Sequence, residues 1–101
     1  MPSFRLELEI GKLRPGHDPN EVMDTAITSL AGFHVDATDI AVTAGKPRIL
    51  LRFSVTDSSG TEENQAARLA AVHTRDAVDE VASTGQLWVL RRRAGRWLPL
   101  G

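Results

Sequence analysis

Cysteine is absent from the 101-residue chain, which excludes disulfide bonds, thiolate metal sites and a thiol nucleophile. Long apolar runs are absent too, since none approaches the roughly 20 residues that a membrane-spanning helix needs. The first residues lead straight into an alternating pattern that contains charges, which is unlike the apolar core of a signal peptide. From these absences we expect a cytoplasmic protein with no membrane contact.

Motifs for a cofactor or a metal ion are also missing. The chain has no glycine-rich phosphate loop, and the spacing of His17, His34 and His73 matches no metal-binding motif such as HExxH. Residues 58–61 precede a predicted helix and offer free N–H groups to an anion, but two glutamates follow directly and would repel it. We therefore predict neither a cofactor nor a metal site.

What is present is the composition of an ordinary globular protein, with 42% apolar and 25% charged residues. We expect one domain over residues 1–101, which would bury roughly 60–70% of the surface of the unfolded chain. The excess of Arg over Lys, with many Ala, Val and Asp residues, is typical of a GC-rich bacterial or phage genome.

Charge is distributed unevenly along the chain. Residues 1–90 contain eight Lys or Arg and all thirteen Asp or Glu, whereas residues 91–101 contain four Arg and no acid. Such asymmetry can mark a docking surface. The C-terminal segment is therefore the first candidate for a binding site.

Hydrophobic periodicity predicts strands and helices in a simple order. The clearest strand is 47–57, in which apolar residues alternate with polar ones. Asp18 is a predicted cap for the first helix, and Ser59 or Thr61 for the second. The predicted elements are strand 4–10, helix 19–31, strand 33–43 with a bend or bulge within 36–39, strand 47–57, helix 59 or 61 to 81 or 83, strand 86–92 and a short return at 96–98.

The faces of these elements follow from the same spacing. The predicted inner stripe of the first helix is Val22, Met23, Ala26, Ile27 and Leu30; that of the second is Ala67, Ala70, Thr74, Ala77, Val78 and Val81. On the second helix, Leu69 and Val72 fall outside the stripe and are expected to be exposed.

The order strand, helix, strand, strand, helix, strand resembles the ferredoxin-like plan, a split βαβ arrangement. It implies an α+β fold of two layers, in which two helices cover one face of an antiparallel sheet and a short C-terminal β-hairpin extends that sheet. The first and third strands would lie in the middle, and the second and third would form a hairpin. The resemblance is one of fold pattern, which hosts enzymes, RNA binders and assembly modules alike.

Two histidines are candidates for acid–base chemistry. His34 and Asp36 share a face of a predicted strand, and His73 lies three residues before Asp76 on a helix. A small enzyme that resembles the dimeric ferredoxin-like oxygenases and isomerases would place His34 or His73 beside an enclosed apolar pocket. No catalytic residue is assigned, because a water-facing edge strand and a packed helix boundary explain the same residues.

The strongest functional candidate is a surface rich in arginine and tryptophan. In the central strand, Arg48, Leu50 and Arg52 face away from the core, on a sheet face that no helix is expected to cover. The C-terminal hairpin adds Trp88, Arg91, Arg92, Arg93, Arg96 and Trp97 to this predicted interface. Trp and Arg are over-represented in the energetic centres of protein interfaces.

We therefore predict a protein-interaction or self-association module without catalytic activity. Nucleic acid is a further candidate partner, because arginines pair with phosphates and aromatic rings stack on bases. The acidic balance of residues 1–90 argues against a broad nucleic-acid footprint. Intramolecular pairing of the arginines with acidic residues is the remaining alternative.

Overall fold

The computed structural model describes residues 1–100 of the chain. These residues form five strands and two helices, joined by loops. They are β1 (Ser3–Leu13), α1 (Asn20–Ser29), β2 (His34–Thr43), β3 (Lys46–Ser54), α2 (Gly60–Asp79), β4 (Ala82–Arg93) and β5 (Arg96–Pro99). The strands form one open antiparallel sheet in the order β2-β3-β1-β4-β5. The protein is therefore α+β, and the predicted β2–β3 hairpin and C-terminal return are confirmed.

The strand β1 lies at the centre of the sheet, between β3 and β4. Its strict alternation places Phe4, Leu6 and Leu8 on the side of the helices, where none of them is exposed. On β3, Ile49, Leu51 and Phe53 pair with them across the strand boundary. Because side chains alternate across a sheet, the intervening polar residues of both strands are directed to the opposite face.

The helices bury small apolar side chains against this inner side of the sheet. Val22 and Ala26 of α1, together with Leu30 directly after it, join Ala67, Ala70, Ala71 and Val78 of α2 in one cluster with the inner residues of β1 and β3. The expected exposure of Leu69 and Val72 is confirmed. The prediction for Ile27 is wrong, since this side chain is 39% exposed. None of the helices within residues 1–100 is long and apolar enough to cross a membrane.

The predicted cap of α2 is confirmed, whereas the N-cap of α1 is Pro19 rather than the predicted Asp18. The N–H of Glu62 donates to Ser59 Oγ at 3.1 Å, so Ser59 rather than Thr61 caps α2. At α1, the N–H of Asp18 donates to Glu21 Oε1 at 3.3 Å, and that of Asn20 donates to Asp18 Oδ1 at 2.9 Å. The first helix is shorter than the predicted range 19–31, because it begins at Asn20 and ends at Ser29.

Several strand boundaries differ from the predictions. β1 runs to Leu13 and β4 begins at Ala82, because these segments continue to pair through two register shifts. Gly11 permits this pairing, since a Cβ there would lie 2.2 Å from Ser83 Oγ. β3 ends at Ser54, three residues before its predicted end, and the bulge expected within 36–39 lies between Val35 and Ala37.

Two hairpins with the same Ala-Gly loop flank the sheet. Ala44 and Ala94 have φ values of 53° and 50°, and the glycine after each has φ 77°. Positive φ at both loop residues is the pattern of a type I′ turn, which matches the twist of the paired strands. Alanine has no side-chain group that stabilises this left-handed conformation, so each turn carries a local conformational penalty.

Replacing Ala44 or Ala94 with glycine should therefore stabilise the protein. We expect each change to raise the free energy of unfolding by about 0.5–1 kcal/mol, because glycine adopts positive φ without steric penalty. Urea unfolding at constant m-value measures the shift. The matched control is Ala66→Gly within α2, which should lower stability by about 0.5–1 kcal/mol. If all three variants are destabilised, the assigned turn geometry is wrong.

Candidate functional site

No helix or strand of residues 1–100 covers the sheet face opposite the helices, and we call it the open face. The pairing of the strands places on it three charged residues of β1, alternate residues of β3 and β4, and Trp97 of β5. Its central side chains are Arg5, Glu7, Glu9, Arg48, Leu50, Arg52, Trp88, Leu90, Arg92 and Trp97. Six predicted interface residues thus share one surface: Arg48, Leu50, Arg52, Trp88, Arg92 and Trp97.

Glu7 holds the arginines at the middle of the open face. Its carboxylate lies 2.9 Å from Arg5 Nη2 and 3.3 Å from Arg48 Nη1. The guanidinium of Arg48 in turn lies 3.9 Å from the centre of the Trp88 ring. Such cation–π contacts contribute about 0.5–2 kcal/mol, depending on desolvation. One surface of Trp88 is therefore already occupied within the chain.

Trp97 is surrounded by cations instead. The guanidinium carbons of Arg5, Arg92 and Arg52 lie 5.1, 5.6 and 6.0 Å from its ring centre. Arg52 also forms an ion pair with Asp36, in which Arg52 Nε lies 3.3 Å from Asp36 Oδ1. Arg92 makes no ion pair within residues 1–100. The environment of Trp97 is thus positively charged and only partly neutralised.

A depression of about 280 Å³ opens beside Trp97. Leu50 and Trp97 supply its apolar surface, while Arg5, Arg52 and Asp39 supply charge. The remaining lining comes from Ala37 and Thr38 of the neighbouring strand. This depression could accept one apolar side chain whose surroundings are polar.

The arginine cluster expected around the hairpin is split between the two sides of the sheet. Arg91 pairs with Phe4 of the inner layer, so its side chain lies beneath the sheet rather than with Arg92. It donates to Glu63 Oε1 at 2.9 Å and to Asn64 Oδ1 at 2.8 Å. Only 12% of the Arg91 side chain is exposed. The prediction that Arg91 shares a surface with Trp88 and Trp97 is therefore wrong.

Arg93 and Arg96 lie on the same side as Arg91, because they form the next inward-facing pair of the β4–β5 hairpin. Both remain exposed at its tip. The two residues are therefore separated from Trp97 by the thickness of the sheet. Of the four arginines in this segment, Arg92 alone faces the tryptophans.

The partner of Arg91 has a perturbed acidity. The N–H of Ser58 donates to Glu63 Oε2 at 2.9 Å. This backbone hydrogen bond and the hydrogen bond from Arg91 lower the pKa of Glu63 below its ordinary value. These hydrogen bonds outweigh the effect of burial, which alone would raise the pKa, so Glu63 remains charged on the inner side and ties α2 to β4.

The histidines lie apart from one another. His34 is exposed on β2, whereas His73 lines an open groove of about 430 Å³ between α1 and α2. His17 Nδ1 lies 2.6 Å from Glu21 Oε2, a contact that lowers the pKa of Glu21. The space between sheet and helices is filled by buried side chains such as Phe53. Within residues 1–100, no group of three or more His, Asp or Glu side chains could hold a metal ion.

The predicted interface leaves out the carboxylates that organise the open face. Glu7 and Asp36 are not among its residues, although each holds an arginine there. Arg5 is not among them either, although its guanidinium is the nearest of three to the Trp97 ring. The alternation of β1 places Glu7 and Arg5 on this face, whereas Asp36 reaches Arg52 from a bulge that periodicity cannot place.

Neither a protein-family model, nor a curated protein, nor a solved structure matches the chain. The assignment of a function therefore depends on the site itself. Its main features are Trp97, the cations around it and the adjacent depression.

In the variant Glu63→Gln, the free energy of unfolding should depend less on pH in the acidic range than it does in the parent. In the folded protein the pKa of Glu63 is lowered, so its charged form contributes stability above the ordinary value of 4.5, and this contribution is lost as the pH falls through the lower, folded pKa. The variant should be less stable than the parent at neutral pH, and the difference should shrink below pH 4.5.

Urea unfolding over a series of pH values tests this expectation. Glu62→Gln is the matched control, because Glu62 precedes Glu63 in the first turn of α2 but is exposed. If both variants give the same pH profile, the Glu63–Arg91 pair does not hold α2 to the sheet.

Proposed function

We propose that the chain is a non-enzymatic protein-interaction module that docks a partner protein through its open face. The observation that carries the proposal is Trp97, which lies between three guanidinium groups beside a depression over Leu50. Tryptophan and arginine are enriched among the residues that dominate binding energy in protein interfaces.

The chemistry around Trp97 specifies the kind of partner. Leu50 and the indole ring favour an apolar side chain in the depression. Arg5, Arg52 and Arg92 face the same ring, but Glu7 pairs with Arg5 and Asp36 pairs with Arg52. Arg92, which has no ion pair within residues 1–100, is the cation that favours carboxylates around that apolar side chain. The partner surface is therefore an apolar residue flanked by Asp or Glu.

The size of the open face is sufficient for a specific contact. Four strands about 4.8 Å apart, with about seven residues of 3.3 Å along each, and the four residues of β5 give a face of roughly 500 Å². A complex that covers it buries about 1,000 Å² from both partners, which is the lower limit for a specific interface. A docked side chain in the depression would add to this area.

Nucleic acid is the second candidate, because the cations around Trp97 suit a phosphate and the ring suits a base. The charge balance of the whole face favours protein. Five basic side chains share it with four acidic ones: Arg5, Lys46, Arg48, Arg52 and Arg92 against Glu7, Glu9, Asp36 and Asp39. A phosphate backbone would approach these carboxylates as well as the arginines.

The ferredoxin-like plan belongs to the proposal as well. Two features support it: the strand–helix–strand order of each half, and the position of β1 and β3 inside the sheet. The added strand β5 carries Trp97 and extends the open face beyond β4. The extension therefore supplies the residue on which the proposed function depends.

Tryptophan fluorescence tests the proposal directly, because the chain contains two Trp and no Tyr, and both Trp lie on the open face. The probe is a Trp-free synthetic peptide with Leu or Phe between Asp and Glu residues. We expect saturable quenching or a spectral shift, and no change with the peptide in which Lys replaces each acid. Arg92→Ala should weaken binding by about tenfold or more, as for an interface hot spot.

Arg96→Ala is the matched control, since it removes the same charge from the same hairpin on the other side of the sheet. Its affinity should equal that of the parent. If both variants weaken peptide binding equally, the loss of affinity reflects only the change in net charge, and this result would contradict docking at Trp97. Binding of a single-stranded oligonucleotide in preference to both peptides, with affinity that falls steeply with salt, would favour the nucleic-acid candidate instead.

A further inference from the structure

We infer that the free edge of the sheet at β2 is a second interface, where a second copy of this chain adds its own β2 in antiparallel pairing. This inference does not depend on what the open face binds. The strand β2 pairs with β3 on one side and has no strand neighbour among residues 1–100 on the other. A ten-residue edge strand with open backbone groups is a template for strand addition.

Exposed apolar side chains distinguish this edge. Ile40 and Val42 are 63% and 70% exposed, although they share the helix-facing side of the sheet with the core. The short helix α1 does not cover them. An apolar groove of about 170 Å³ opens beside Ile40, with Pro19, Val22 and Met23 among its lining residues. In a dimer, Ile40 and Val42 of the second copy would cover the same two side chains of the first copy and would border the groove.

The hairpin determines which backbone groups are free. Thr43 and Lys46 close a two-residue loop, so they form a hydrogen-bonded pair, and pairs then alternate along β2 and β3. Ile40 and Val42 consequently direct their N–H and C=O groups away from β3. Pro47 stands opposite Val42, where no N–H is needed for this pairing. The free groups thus belong to the residues with exposed apolar side chains.

One two-fold arrangement satisfies both the backbone and the charges. It pairs Ile40 with Val42 of the second copy, and it brings Ala41 against Ala41 at the axis. Asp39 then stands opposite Thr43 of the second copy, next to Lys46 on the adjoining strand. Lys46 has no ion pair within residues 1–100, so it is available to Asp39.

The side chain of Asp39 occupies a backbone donor at this edge. Its Oδ1 accepts a hydrogen bond from the N–H of Ile40 at 2.8 Å, which occupies a donor that pairing would use. In the dimer this N–H donates to the carbonyl of Val42 in the second copy, and the released carboxylate meets Lys46. One hydrogen bond is thus exchanged for another, and an ion pair between subunits is added.

Association should therefore be visible as mass in solution. Light scattering should give twice the 11.0 kDa of one chain, and Val42→Lys should return the mass to that of one chain. The matched control is Leu69→Lys, because Leu69 is similarly exposed at 63% but lies on α2. This control should remain dimeric. A parent that is monomeric at high concentration, or a dimer that survives Val42→Lys, overturns the inference.

The absence of cysteine permits a direct test of the register. Directly opposed residues of a non-hydrogen-bonded pair have Cα atoms about 4.5 Å apart, within the range that a disulfide spans. Ala41→Cys should therefore form a covalent dimer under mild oxidation, whereas Ala94→Cys, exposed in the β4–β5 turn at the opposite edge of the sheet, should not. Equal cross-linking of both variants, or of neither, contradicts the arrangement.

A charge exchange tests the role of Asp39. Lys46→Glu should weaken association several-fold, because it places a second acid beside Asp39 of the other copy. The double variant Asp39→Lys with Lys46→Glu should recover it. Failure to recover, with both variants folded by circular dichroism, overturns the proposed ion pair. Asp39 also lines the depression beside Trp97, so the peptide titration is made on the parent chain and on Val42→Lys, in which the depression is intact, and its outcome is then independent of these results.

Discussion

The position of β1 in the middle of the sheet is the constraint on which the rest of the structure depends. Each of its residues is committed to one side by the alternation of the strand: Phe4, Leu6 and Leu8 to the core, and Arg5 and Glu7 to the open face. A shift of one residue would exchange these sets and bury charge. The same choice that stabilises the core therefore assembles the charged layer that surrounds the tryptophans.

The predictability of each strand follows from how clearly it alternates. In β1 and β3 polar and apolar residues alternate, so the sequence indicates which side chains face the helices. β4 contains the continuous apolar run Leu87-Trp88-Val89-Leu90, which does not reveal its phase. The four arginines that follow consequently looked like one cluster. Pairing of Arg91 with Phe4 assigns the phase, and that pairing is a long-range contact that no local pattern contains.

The two proposed interfaces use different properties of one sheet. The open face offers side chains, with Trp97 and Arg92 directed to a partner, whereas the β2 edge offers backbone groups beside Ile40 and Val42. Strand addition at β2 would join the sheets of two copies, so their open faces would become continuous. A partner with repeated acidic and apolar segments could then contact both copies, which raises affinity through effective concentration.

Strand alternation separates the arginines that hold the fold from those that remain available to a partner. Urea unfolding of Arg91→Ala and Arg92→Ala measures this separation as two free energies of unfolding. We expect a clear fall in the free energy of unfolding for Arg91→Ala, because Glu63 loses its partner beneath the sheet, and a change within about 0.5 kcal/mol for Arg92→Ala. Equal losses, or a greater loss for Arg92→Ala, would contradict it.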